Sequence, residues 1–213
     1  MKAIIWDLDG TLLNTLHDLA NAVRFGQRKY GQKEIEDVQV AALLGHGVHA
    51  LVEGACKGVD EKTKENIFSA FYTEYAAHFA DFTHPYDGMV ELLTQLKQEG
   101  YLMAVISNKA HEMTVQLIEK FFPNTFLFVY GEQKDYPRKP DPSLLLDTLK
   151  KMKVSKEETV YIGDSEVDEK TAKNAGISCI LVSWGFRRRE DLLQIHADHL
   201  VDSVEELRAL FIK

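Results

Sequence analysis

The first eleven residues constrain this chain most: an apolar run of four, Ala3-Ile4-Ile5-Trp6, stops at Asp7-Leu8-Asp9-Gly10-Thr11. So short and unbroken a run reads as a strand buried on both faces, the strand type of parallel sheets covered by helices. Two carboxylates two residues apart, directly after such a strand, repel each other unless a cation lies between them. Gly10 permits a sharp turn and leaves room for a ligand near the backbone. A turn with capping aspartates uses the same residue types, so the rest of the chain has to decide.

Further strand runs follow at 102–107, 126–130, 160–162, 179–183 and 200–201, alternating with helical patterns after about residue 85. One helix is expected from near Asp87 to Gly100 with Val90, Leu93 and Leu96 on its apolar face. Another carries Leu145, Leu146, Leu149 and Met152, and the last opens on a capping box at Ser203-Val204-Glu205-Glu206. Residues 15–84 break the alternation. Leu16, Leu19, Ala20 and Val23 share one helix face, and Val48, Leu51, Val52, Ala55 and Cys56 share another. Phe68, Phe71, Tyr72, Tyr75 and Phe79 stripe a third helix, which reads as packing between helices. The fold class is therefore α/β, a Rossmann-like doubly wound parallel sheet built from residues 1–14 and 85–213. An all-helical domain, 15–84, is inserted after the first strand.

Doubly wound sheets bind ligands beyond the carboxyl ends of their strands. The second strand ends in Ser107-Asn108-Lys109, where a hydroxyl and a backbone N–H suit phosphate oxygens and equally suit a turn or helix cap. Lys139 lies in Arg138-Lys139-Pro140-Asp141-Pro142; it is either a solvated surface charge or a cation held in a set orientation by rigid chain. The fourth strand ends in Gly163-Asp164-Ser165-Glu166-Val167-Asp168, with Asp164 and Asp168 one helical turn apart. With Asp7 and Asp9 this gives up to four carboxylates about one point, an all-oxygen set suited to Mg²⁺. The eight histidines are scattered and form no zinc pattern with cysteine.

Composition narrows the partners. A net charge of −8 on 213 residues, with 45% apolar and 27% charged residues, argues against nucleic acid and anionic membranes as partners. Cys56 and Cys179 form no CxxC pattern and read as reduced thiols. With no signal-peptide core and no membrane-length apolar stretch, a cytoplasmic protein is expected, monomeric or homodimeric.

Taken together, DxDGT at Asp7–Thr11, the strand-end Ser107, Lys139 and GDxxxD at Gly163–Asp168 resemble the haloacid dehalogenase-like hydrolase superfamily, and they span essentially the whole chain. The inserted helices resemble its C1 cap. Leu44-Gly45-His46-Gly47-Val48, Lys139-Pro140-Asp141-Pro142 and Ser183-Trp184-Gly185-Phe186 look most like its phosphoglycolate phosphatase branch. The resemblance implies hydrolysis of a small phosphorylated metabolite with Mg²⁺. Asp7 would be nucleophile and metal ligand, and Asp9 general acid–base and, through its carbonyl, metal ligand. Thr11, Ser107 and Asn108 would hold phosphate or orient the first motif, with Lys139 beside them. Asp164 and Asp168 would complete the metal site. Sugar-phosphate or nucleotide phosphatase, pyrophosphatase and β-phosphoglucomutase-like activities are nearby alternatives. A non-catalytic regulatory protein of the same fold is a rival of another class, opposed by the intact acidic cluster.

Asn14 and Thr15 stand where relatives usually have Asp-Ser, with Thr15 keeping a capping hydroxyl and Asn14 at the hinge into the cap. For specificity, the Gly45-His46-Gly47 loop either meets substrate or is a plain helix–helix turn. Arg187, Arg188 and Arg189 read as a surface run rather than an anion site.

Overall fold

The structure, a computed structural model, describes residues 2–212. The chain begins with β1 (Ala3–Trp6) and the short β2 (Leu13–Asn14), then forms four consecutive helices. These are α1 (Leu16–Lys29), α2 (Asp37–Leu43), α3 (Val48–Ala55) and α4 (Glu61–His78). It returns through β3 (His84–Pro85) and then alternates: α5 (Met89–Gln98), β4 (Leu102–Ala110), α6 (His111–Phe121), β5 (Phe128–Glu132), α7 (Ser143–Met152), β6 (Thr159–Gly163). It closes with α8 (Glu166–Ala175), β7 (Ser178–Val182), α9 (Arg189–Leu192), β8 (His199–Val201) and α10 (Val204–Phe211).

Six strands form one parallel sheet in the order β5-β4-β1-β6-β7-β8. Alternation along β1 divides its side chains between two cores. Ile4 and Trp6 enter one with Met89, Leu117 and Leu207; Ala3 and Ile5 enter the other with Leu145, Leu149 and Ala172. Burial on both faces explains why the strands read as continuous apolar runs. Strand order reverses at β1, whose neighbours are β4 and β6, and this is where such a sheet opens a crevice. Trp6 pairs with Val105 on one side and Ile162 on the other. The register therefore brings Asp7, Ser107 and Asp164 to one end of the sheet.

Helices α1–α4 have their own apolar core, including Leu19, Val23, Leu51, Ile67 and Phe71. Two links join this block to the sheet, and they pair with each other as the antiparallel β2 and β3. Thr15 does not cap α1: its hydroxyl is buried without a partner among the described residues, and Asn14 Oδ1 instead accepts from Leu16 N at 3.3 Å. Asp18 ties the return link, accepting from Phe82 N, from Thr83 N at 2.8 Å and from the Thr83 hydroxyl at 2.7 Å.

Two helix ends differ from the sequence expectation. α5 begins at Met89, so Met89, Leu92, Leu93 and Leu96 face the core, and Val90, about 100° round the helix from Met89, is exposed. At α10 the Ser203 hydroxyl accepts from Glu206 N, but the Glu206 carboxylate accepts from Asp202 N rather than completing the box at Ser203. No helix among the described residues is long and apolar enough to cross a membrane.

Asp18→Ala would leave two backbone N–H groups at the hinge without their acceptor. It is expected to lower unfolding free energy by about 2–3 kcal/mol in urea titration; a change within about 0.5 kcal/mol, the scale of an ordinary surface substitution, would contradict the hinge role.

Candidate active site

Beyond the carboxyl ends of β1 and β6, three buried carboxylates converge. Asp7, Asp164 and Asp168 each offer an oxygen within 4.8 Å of the others. Asp7 follows β1 directly, and its N–H donates to Ile162 O at 2.9 Å. Asp164 lies just past β6, its Oδ2 accepting from Phe186 N at 2.7 Å. Glycine is required around it. A Cβ on Gly10, whose φ is +86°, would fall 2.2 Å from Asp164 Oδ2, and one on Gly185 would fall 2.3 Å from Asp164 Cβ.

Lys139 threads the cluster. Its ammonium lies 2.8 Å from Asp7 Oδ1 and 2.7 Å from Asp168 Oδ1, and it donates to the Tyr161 hydroxyl at 3.1 Å. Asp168 Oδ2 accepts from Ser165 Oγ at 2.7 Å and from the backbone N–H groups of Asp164 and Ser165. Both Asp168 oxygens are thus occupied, so it orients Lys139 and the start of α8 while standing within reach of a shared cation. Asn108 works through its side chain: Oδ1 accepts from Lys139 N at 2.9 Å, and Nδ2 donates to Lys139 O and Gly45 O. Ser107 is buried, its hydroxyl accepting from Lys109 N. The Thr11 hydroxyl is buried without a partner among the described residues, and Thr11 O accepts from the Trp184 indole.

Charge is under strain here. Burial, together with the charges of Asp168 and Asp9, pushes the Asp7 carboxyl up to about 7 despite Lys139. Burial and the neighbouring Asp168 and Asp7 hold Asp164 well above the carboxylate range. Burial alone would depress Lys139, but Asp168 and Asp7 outweigh it and keep its ammonium firmly protonated. One ammonium thus faces three acids, and an all-oxygen donor set of this kind fits a hard divalent cation.

A cavity of about 40 Å³ lies between this cluster and the helical block, bounded by Asp7, Asp9, Ser107 and Lys109 on one side. Leu19, Leu44, Val48 and Leu51 form its apolar wall, with Gly45 and Gly47 at the rim. His46 does not line it. Its ring is half-exposed, 3.4 Å from Glu166.

Three groups were not legible as site residues. Lys109 is buried, its ammonium 2.9 Å from Asp9 Oδ1 and bonded to the Tyr75 hydroxyl. Tyr75 is therefore more than helix packing. The signal was available in part: Lys109 directly follows the strand-end Ser107-Asn108, and a buried lysine needs an anion. Arg187 is no surface charge. It pairs with Glu166 at 2.7 Å and donates to two carbonyls of the helical block, Ala41 O at 3.1 Å and Leu44 O at 2.7 Å. Despite half-burial, that pairing holds the Glu166 carboxyl down at about 2. Arg188 and Arg189 do lie on the surface, paired with Asp191 and Asp202.

Residues 4–182 match the sequence pattern of the family described as haloacid dehalogenase-like hydrolase. A phosphoglycolate phosphatase of Thiobacillus denitrificans is 33% identical, over all of this chain and 96% of its own length. One from Aquifex aeolicus is 28% identical, over 95% of this chain and all of its own. Among solved structures, a proposed phosphoglycolate phosphatase from Lactobacillus delbrueckii subsp. bulgaricus superposes with a TM-score of 0.92 at 31% identity. That match covers 100% of this chain and 99% of the other.

Between pH 3.8 and about 7, folded Asp7 keeps a proton that the unfolded chain has released. The folded state then binds more protons, so stability falls as pH rises through that window. Urea titrations of protein held in chelator should show this decline, and Asp7→Asn should make it shallower, with Asp164, whose carboxyl is also held up, supplying the remainder. Stability that is level or rising over the window would contradict the charge strain assigned to Asp7.

Proposed function

Given that the chain belongs to the haloacid dehalogenase-like hydrolase family, we propose that it hydrolyses a small phosphate monoester, 2-phosphoglycolate, through a phosphoryl group carried on Asp7. The observation that carries this reading is the buried triad of Asp7, Asp164 and Asp168 around Lys139, at the point where strand order reverses. Relatives alike over nearly the full chain are phosphoglycolate phosphatases, which supports the choice of ester.

Asp7, the Asp9 carbonyl and Asp164 would hold Mg²⁺, with Asp168 beside them, and its charge offsets that of the phosphoryl oxygens. Ser107 and the Asn108 backbone bind those oxygens with Lys139 beside them, and Thr11 steadies the turn that carries Asp7 and Asp9. The Asp7 carboxylate attacks phosphorus, the ester P–O bond breaks, and Asp9 delivers its proton to the departing glycolate oxygen. Water then attacks the phosphoryl group while Asp9 takes its proton, releasing inorganic phosphate and restoring Asp7. Uncatalysed monoester hydrolysis is slow enough that enzymes accelerate it by up to ~10²¹-fold, so most of the work is placement and charge. The helical block acts as a cap over the reaction. Arg187 and Asn108 hold its 41–45 segment by three carbonyls, and the block must shift to admit an ester.

Turnover of 2-phosphoglycolate with Mg²⁺ should vanish in Asp7→Asn and fall about 10²–10⁴-fold in Asp9→Asn. Quenched Asp9→Asn enzyme should carry phosphate on Asp7 by mass spectrometry. Undiminished turnover in purified Asp7→Asn protein would overturn the mechanism.

A further inference from the structure

Resting on that reading, we propose that Lys109 is the residue that recognises the substrate's carboxylate, selecting phosphorylated hydroxy acids over uncharged phosphate esters. An ammonium carries three donors and no acceptor. Among the described residues two are engaged, one by Asp9 Oδ1 at 2.9 Å and one by the Tyr75 hydroxyl of α4. Lys109 is among the residues that line the cavity under the helical block, and its ammonium has no third protein acceptor among the described residues. A buried ammonium with an unused donor is a site for an anion.

Asp9 is the group assigned to protonate the leaving oxygen, and Lys109 touches it directly. Whatever is attached to that oxygen therefore lies beside Lys109. In phosphoglycolate the carboxylate is one methylene away from the leaving oxygen, within the reach of a side chain already bonded to Asp9.

The block offers the cavity only apolar side chains: Leu19, Leu44, Val48 and Leu51. Arg187 spends its guanidinium on Glu166 and on Ala41 O and Leu44 O. Arg138 is paired with Glu132 at 2.8 Å, and His46 faces Glu166 outside the cavity. Lys139, the other ammonium on the wall, is committed to Asp7 and Asp168. Of the two ammoniums on the cavity wall, Lys139 has three acceptors, Asp7, Asp168 and Tyr161, whereas Lys109 has two, Asp9 and Tyr75. Tyr75 lies on α4, so one of the two contacts that hold the Lys109 ammonium comes from the helical block.

The test compares kcat/KM for 2-phosphoglycolate with that for 2-hydroxyethyl phosphate, which replaces the carboxylate by an uncharged CH2OH group. Wild-type enzyme should prefer phosphoglycolate. Lys109→Met will slow both esters through Asp9, but the preference itself should fall about 10- to 100-fold, the range of a hydrogen-bonded charge pair. Lys109→Arg and Tyr75→Phe, which keep the cation, should retain most of it. If Lys109→Met does not melt cooperatively, Lys109→Gln provides the same comparison. A cooperatively folding Met or Gln variant with the wild-type ratio would overturn the role of Lys109 and leave the phosphoglycolate reading intact. Wild-type enzyme with no preference would overturn both.

Discussion

Three carboxylates withdrawn from water, with one ammonium between two of them, set the terms for the rest of this molecule. Asp7, Asp164 and Asp168 are all buried, and Lys139 is the cation in contact with the group. Burying unbalanced charge is unfavourable, so the fold must hold these groups together by other means. It does so with the sheet. Parallel pairing of β1 with β4 and β6 fixes the register that delivers Asp7 and Asp164 to one point, and two apolar cores grip the sheet from both faces. Backbone donors at the start of α8 and the N–H of Phe186 then satisfy oxygens that Lys139 cannot.

The same residues tie the acidic cluster to the helical block. Asn108 bonds the Lys139 backbone on one side and Gly45 O on the other. Phe186 donates to Asp164, and the next residue, Arg187, holds Ala41 O and Leu44 O. Lys109 joins Asp9 to Tyr75. Each bridge has one end in the chemistry and the other in α1–α4 or the loops between them. The helical block and the charge arrangement are therefore held by the same side chains.

Much of this could be read in the residues. The strands were legible because burial on both faces leaves unbroken apolar runs, and the acidic motifs because strand ends rarely carry so many carboxylates without purpose. Less legible was whatever depended on which side chains meet across the chain. Tyr75 has the spacing of a packing stripe, and nothing local reveals that its hydroxyl meets Lys109, 34 residues further along the chain. Arg187 sits in a run of three arginines of which two do lie on the surface. Thr15 has the sequence of a cap, but Asn14 and Asp18 take over the bonding at the hinge. Helix phase misplaced Val90 because the start of α5 is set by Gly88, whose φ of 78° ends the preceding turn.

The account stands or falls on Asp7 as the atom-transfer point of the acidic cluster. A crystal structure grown with Mg²⁺ and beryllium fluoride, which mimics a phosphoryl group on a carboxylate, tests that most directly. The prediction is a fluoroberyllate on the Asp7 carboxylate, with Mg²⁺ between Asp7 and Asp164 and with Lys139 and Ser107 against the fluorines. An adduct on any other residue, or Mg²⁺ bound away from Asp7 and Asp164, would contradict it.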